Sequence, residues 1–199
     1  MDPWSIRPSH GLGGIEFACA PDAVMKIDDR YGRIETDDII DPFAGDELFD
    51  HLVSTLGEQE ARAAMAVIAE AGIDTRPHRL TIYETGVSLS FVEGKLEEIM
   101  LDQRATQAQY EGYRFFNTDP LPALRALQIA NGSPPVVKRS DCYFANIFLT
   151  AFACIAIQED GRICSANEAT DEAQQTTIAW RKTPRNQLED LSGHMSVEL

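Results

Sequence analysis

Positive charge is what this chain most conspicuously lacks. Its 199 residues hold 17 Lys and Arg against 32 Asp and Glu, a formal net charge of −15 at pH 7. A surface this acidic repels phosphate, which excludes nucleic acid and anionic membrane as expected partners. Cysteine is sparse as well. Cys19, Cys142, Cys154 and Cys164 lie far apart with no Cys-x-x-Cys spacing, which argues against zinc knuckles and thioredoxin-like redox chemistry. Cys142 and Cys154 sit in apolar runs, where a free thiol behaves as a small hydrophobe. The longest apolar stretch, Tyr143 to Ile157, is interrupted by Asn146 and Thr150 and falls short of the roughly 20 residues of a spanning helix. The start, Met1-Asp2-Pro3-Trp4-Ser5-Ile6-Arg7, has no basic region followed by an apolar one, so no secretory signal is read there. Together these absences predict a cytoplasmic protein.

Catalytic and metal signatures are missing too. His10, His51, His78 and His194 are embedded in no motif with a nucleophile. Asp37, Asp38 and Asp41 lack the alternating acids, central Gly and terminal Glu of a calcium loop. The run His10-Gly11-Leu12-Gly13-Gly14 precedes a strand pattern, whereas a phosphate-binding loop follows one. Neither a cofactor nor a metal is expected. Cys19, just after the first strand pattern, is the thiol best placed for chemistry.

What is present is ordinary globular material. Hydrophobic residues make up 44% and charged residues 25%, enough to fold and bury a core. An order of elements also occurs twice. Gly14-Ile15-Glu16-Phe17-Ala18-Cys19 reads as a strand, followed after Pro21-Asp22 by a helix pattern of Ala23, Val24, Ile27 and Tyr31 that stops at Gly32. Gly112-Tyr113-Arg114-Phe115-Phe116 repeats the strand, followed after Asp119-Pro120 by Leu121, Leu124, Leu127 and Ile129, stopping at Gly132. Downstream, the strand Leu80 to Tyr83 and the hairpin Val87–Phe91 with Leu96–Leu101 match the strand Cys142 to Leu149 and the hairpin Cys154–Ile157 with Ile163–Ala166. Each hairpin turns on an acid, a glycine and a base.

The expected fold is α+β, two tandem β-α-β-β units with antiparallel sheet, covering residues 1–102 and 103–166 in one compact domain. A polar extension over 167–199 contains one short element near Trp180 and the stretch Ser192-Gly193-His194-Met195, which resembles a cloning remnant. The first unit carries a helical insertion over about 34–77. Its first helix follows Leu48, Phe49, Leu52, Val53 and Leu56 to Gly57, and its second runs through the Ala-rich stretch from Glu58 to Ala71.

The charge is local. Residues 1–102 hold 8 bases and 21 acids, a net of −13, and the window 28–60 alone holds 2 bases and 11 acids, a net of −9. Charge of one sign concentrated on an insertion steers an oppositely charged partner, and interleaved aromatic residues supply anchors. The candidate partner-binding residues are Glu35, Asp37, Asp38, Asp41, Phe43, Asp46, Glu47, Phe49 and Asp50.

The unit Gly14–Phe17, the helix from Asp22 to Tyr31 and the hairpin Gly86–Ile99, together with the acidity, resemble the small immunity and inhibitor proteins with which bacteria neutralise toxins. The likeness spans residues 14 to 166 and rests on element order and charge. It implies a non-catalytic binding protein whose acidic surface blocks the basic cleft of a toxin enzyme. Two alternatives stand beside it: a small enzyme or ligand-binding module with a pocket between the repeats that uses Cys19, and an assembly subunit dimerising through Tyr143 to Ile157.

Overall fold

The computed structural model describes residues 2–25, 29–40, 47–70, 77–166, 176–184 and 195–199. The chain opens with three two-residue strands, β1 (Ile6–Arg7), β2 (Gly11–Leu12) and β3 (Ile15–Glu16), which form a small antiparallel sheet. Helix α1 (Pro21–Met25) and a 3-10 turn (Asp29–Tyr31) lead to β4 (Ile34–Ile40), and the helices α2 (Glu47–Leu56) and α3 (Glu58–Glu70) follow. Then come β5 (His78–Tyr83), β6 (Val87–Val92), β7 (Lys95–Asp102) and the short pair β8 (Gln109–Tyr110) and β9 (Tyr113–Arg114). Helix α4 (Leu121–Asn131) precedes β10 (Val136–Lys138), β11 (Asp141–Phe144), a 3-10 turn (Ala145–Ile147) and β12 (Leu149–Phe152). The strands β13 (Ile155–Ile157), β14 (Ile163–Ser165), β15 (Thr177–Arg181) and β16 (Met195–Ser196) complete the order.

One nine-stranded antiparallel sheet dominates, in the order β16-β10-β11-β12-β15-β7-β6-β5-β4. Each half of the chain contributes four strands that neighbour one another in order, β4-β5-β6-β7 after α1 and β10-β11-β12-β15 after α4. The last strands of the two sets, β7 and β15, pair at the centre, with Ile99 opposite Trp180 and Met100 opposite Ala179. The α+β class is as expected. By sheet position, however, the counterpart of the hairpin β6–β7 is β12–β15. The hairpin β13–β14, matched to it in sequence, is a separate two-stranded sheet lying between β12 and β15 in the chain.

Three further expectations are corrected. The insertion is not purely helical, because it begins with β4, the outermost strand of the main sheet. The segment 167–199 is not a mere extension, because β15 is a central strand whose Ile178 and Trp180 are fully buried. The apolar run Cys142 to Leu149 is not one strand. It breaks at the 3-10 turn and at Phe148, whose φ of 50° reverses the chain, so that Phe144 pairs with Leu149 across a tight turn. The expected helix ends at Ala71 and Gly72, the helix position Ile27 and the polar stretch Asn167–Gln175 lie outside the described residues.

The core lies on one face of this sheet. Val87, Leu89, Ile99, Leu101, Ile178, Trp180, Leu149, Ala151, Phe144, Cys142 and Val137 point there, alternating along their strands as a half-buried antiparallel sheet requires. Leu121, Leu124 and Leu127 of α4 and Trp4, Ile6, Leu12 and Ile15 of the N-terminal segment complete the same cluster. Helix α4 starts where Asp119 Oδ1 accepts the Leu121 N–H at 3.0 Å. It stops at Gly132, whose left-handed conformation (φ 72°) lets its N–H reach the carbonyls of Gln128 and Ile129. The opposite face carries Val136, Tyr143, Thr150, Ala179 and Met100 in one register row, all half-buried.

Candidate functional site

The acidic residues are best placed by starting from β4. Its sequence, Ile34-Glu35-Thr36-Asp37-Asp38-Ile39-Ile40, is rich in β-branched residues, which favour a pleated surface. It pairs with β5 in regular register from Thr36 opposite Ile82 to Ile40 opposite His78, with a bulge at Glu35. No described strand pairs with its other side. Ile39 is 77% exposed, and Ile34 and Ile40 are 41% and 37% exposed.

The acids on β4 divide by partner. Asp37 accepts a two-pronged contact from Arg79 of β5, Nε and Nη2 each at 2.6 Å, and a third hydrogen bond from Thr81 Oγ1 at 3.0 Å. The Arg79 guanidinium holds the Asp37 carboxyl below its ordinary value. Glu35 lies 2.9 Å from Arg104 Nη1, and the same guanidinium grips Asp102 at 2.8 Å. Burial acts to raise the pKa of Asp102, but hydrogen bonds from Arg104 outweigh it and the net shift is downward. Asp38 is exposed and makes no ion pair among the described residues.

The remaining predicted residues scatter. Glu47 opens α2, and Asp50 is exposed on the same helix. Phe49 is not a free anchor: it is half-buried, with the Arg62 guanidinium 5.7 Å over its ring, and Arg62 also bonds Glu58 at 2.7 Å. Asp41, Phe43 and Asp46 lie outside the described residues. The structure thus assembles Glu35, Asp37 and Asp38 on one sheet edge and neutralises two of them. Sequence reasoning missed Arg79 and Arg104, which reach β4 from β5 and from the turn after β7. The signal it passed over was the β-branched pattern of Ile34, Thr36, Ile39 and Ile40 beneath the acids.

A second feature occupies the half-buried face of the main sheet. A cavity of about 300 Å³ has Met100, Tyr143, Thr150 and Ala179 among its lining residues, with Phe148 and Phe152 beside them. It draws on β7 from the first half of the chain and on β10, β11, β12 and β15 from the second. Arg181 Nε donates to Glu98 at one end, while Lys138 and Asp141 are register partners at the other. The backbone around it is unusual, because Arg139, Phe148 and Ala153 all take positive φ, 57°, 50° and 51°. Bulky residues rarely adopt that region. Here it is held by the Ala153 N–H donating to Asp141 Oδ1 at 2.8 Å and the Arg181 N–H donating to the Phe148 carbonyl at 3.1 Å.

Cys19 is not among the residues lining this cavity. Its backbone extends the β7 edge, its carbonyl accepting the Leu96 N–H at 2.9 Å, and burial pushes its thiol pKa up. An activated nucleophile needs the opposite shift. No cluster of three or more His, Cys, Asp or Glu suited to a metal exists among the described residues, and no described helix is long and apolar enough to cross a membrane. No family model, curated protein or solved structure matches the chain.

Proposed function

We propose that the chain is a non-catalytic binding protein that neutralises a basic protein partner, in the manner of a toxin inhibitor, through the acidic edge of its main sheet. The observation that carries this reading is β4, an outermost strand that presents exposed isoleucines and the carboxylate of Asp38, which has no ion-pair partner among the described residues, on a chain of net charge −15. Long-range attraction speeds the encounter, and exposed apolar side chains supply area to bury once contact is made. Arg79 and Arg104 do not cancel this role, because they fix the Asp37 and Glu35 carboxylates in place.

The experiment is affinity capture from the native host at low and high salt, using the wild type and the double variant Asp38→Lys, Asp50→Lys. A captured enzyme whose activity falls on adding the wild type and recovers with the variant supports the reading. Equal capture and equal inhibition by both forms overturns it.

The cavity that spans both halves favours a second reading, a ligand-binding module. Its aromatic walls and small set of charged groups are the usual make-up of a small-molecule site. Filling it with Thr150→Trp abolishes binding of any metabolite detected by calorimetry if this reading holds, and leaves β4-dependent capture unchanged.

A further inference from the structure

We infer that the outer edge of β4 accepts a further antiparallel strand, supplied by a basic, extended segment of the protein partner. This rests on the acidic-surface reading above and adds the mode of docking. The two outer strands of the four-stranded sets, β4 and β10, occupy corresponding places in the sheet. The edge of β10 is already completed by strand addition. There β16 pairs antiparallel, with Met195 opposite Val137 and Ser196 opposite Val136, and the Val197 N–H donates to the Pro135 carbonyl at 3.1 Å. Met195, set aside in the sequence as part of a cloning remnant, is therefore a sheet residue.

The β4 edge carries no such strand among the described residues, although at seven residues it is more than twice as long as β10 with three. An edge strand leaves every second N–H and C=O without a ladder partner, and proteins usually blunt such edges by shortening or charging them. Here Ile39 is 77% exposed, so no described residue covers its side chain, and the regular stretch Thr36 to Ile40 offers five consecutive residues for pairing.

Charge selects the occupant. Antiparallel pairing of β4 with its own copy sets carboxylate against carboxylate in every register that pairs five or more of its seven residues: Asp37 with Asp37, Asp38 with Asp38, Asp37 with Asp38, or Glu35 with either aspartate. Like charges directly opposite one another are destabilising. A strand with Lys or Arg facing Asp38 and a β-branched residue against Ile39 reverses that sign, and main-chain hydrogen bonds then supply affinity.

The test uses the whole chain and a capped, fluorescent peptide of alternating Lys and Val. Two derivatives carry the same charge, one N-methylated on its lysines and the other on its valines. Anisotropy titration at low salt is expected to show binding of the parent peptide. One derivative should be weakened at least about tenfold and the other spared, because only one edge of the added strand faces β4. Asp38→Lys should weaken the parent peptide by about tenfold, while Glu159→Lys, the same charge change in the β13–β14 turn, should not. Equal binding of both derivatives overturns strand addition and leaves the acidic-surface reading standing. Failure of every lysine peptide to bind overturns both. A dimeric mass without peptide, lost on Asp38→Lys, overturns the choice of a basic occupant in favour of a second copy.

Discussion

Two isoleucines of the same sheet provide a sharp measure of whether β4 is a surface or part of the core. Ile39 is 77% exposed and Ile99 is fully buried opposite Trp180 and Leu89. Replacement by Thr keeps the β-branch, so strand propensity hardly changes. At Ile99 the substitution removes buried hydrocarbon, worth about 0.5–1.5 kcal/mol, and buries a hydroxyl at a cost of about 1–3 kcal/mol. The sum, about 1.5–4.5 kcal/mol, corresponds to a fall in Tm of about 3–18 °C for a chain of this size. At Ile39 the change stays within about 0.5 kcal/mol, or no more than about 2 °C. Scanning calorimetry of both variants, paired with the peptide titration, is the assay. Ile39→Thr should leave Tm in place and weaken the Lys–Val peptide several-fold, since the side chain becomes buried only when a strand covers it. A fall in Tm at Ile39→Thr as large as at Ile99→Thr refutes the reasoning, because Ile39 would then already be packed.

Further predictions concern the supports of the edge and the core. Gly86 has φ +82°, and a Cβ there would lie 2.1 Å from Asp102 Oδ1, whereas Gly94 at φ +73° has nothing within 4 Å. Denaturant unfolding should therefore show Gly86→Ala costing clearly more than the roughly 1–2 kcal/mol of a left-handed alanine, with Gly94→Ala near that figure; equal costs would count against the Asp102–Arg104 geometry. The carboxyls of Asp37 and Asp102 are held below their ordinary values, so their contribution to stability is complete above the ordinary carboxylate pKa of about 4 and disappears as pH falls through the lower folded values. Unfolding curves between neutral pH and strong acid should show this loss, and Asp37→Asn should reduce its steepness. Burial pushes the Cys142 thiol up to about 12 and Cys154 well above its ordinary value. A disulfide reagent should accordingly label the half-buried Cys19 first and reach these two only on unfolding; rapid labelling of Cys142 in the native protein would contradict the packing described.

Legibility in the sequence followed the range of the interactions. The hairpin β6–β7 could be read because its signals are local: Val87, Leu89 and Phe91 alternate, and Glu93-Gly94 form a two-residue turn with φ of 51° and 73°. Helix α4 could be read for the same reason, from Asp119 at its start to Gly132 at its stop. What escaped was pairing between distant segments. The strand β15 is flanked by polar residues, and nothing local reveals that it slots between β7 and β12. In β4 the acids outweigh the β-branched pattern, so the sequence reads the stretch as part of the helical insertion. The reversal at Phe148 lies inside an apolar run, where no glycine or proline announces it. For the candidate site the types and the location of the charge were legible. The counter-ions were not, because Arg79 and Arg104 are 42 and 69 residues away from Asp37 and Glu35.

The central place of β15 also orders events during synthesis. Until residues 177–181 leave the ribosome, β7 and β12 each present an open edge, and the cluster that Trp180 completes has a gap at its middle. The two halves of the main sheet share no other described strand, so the continuous sheet cannot form until that segment joins them. Closure of the sheet is thus postponed until residues 177–181 have emerged. Until then the nascent chain displays two unsatisfied edges to which chaperones or neighbouring chains have access. Trp180 is the natural optical reporter of the moment at which that exposure ends.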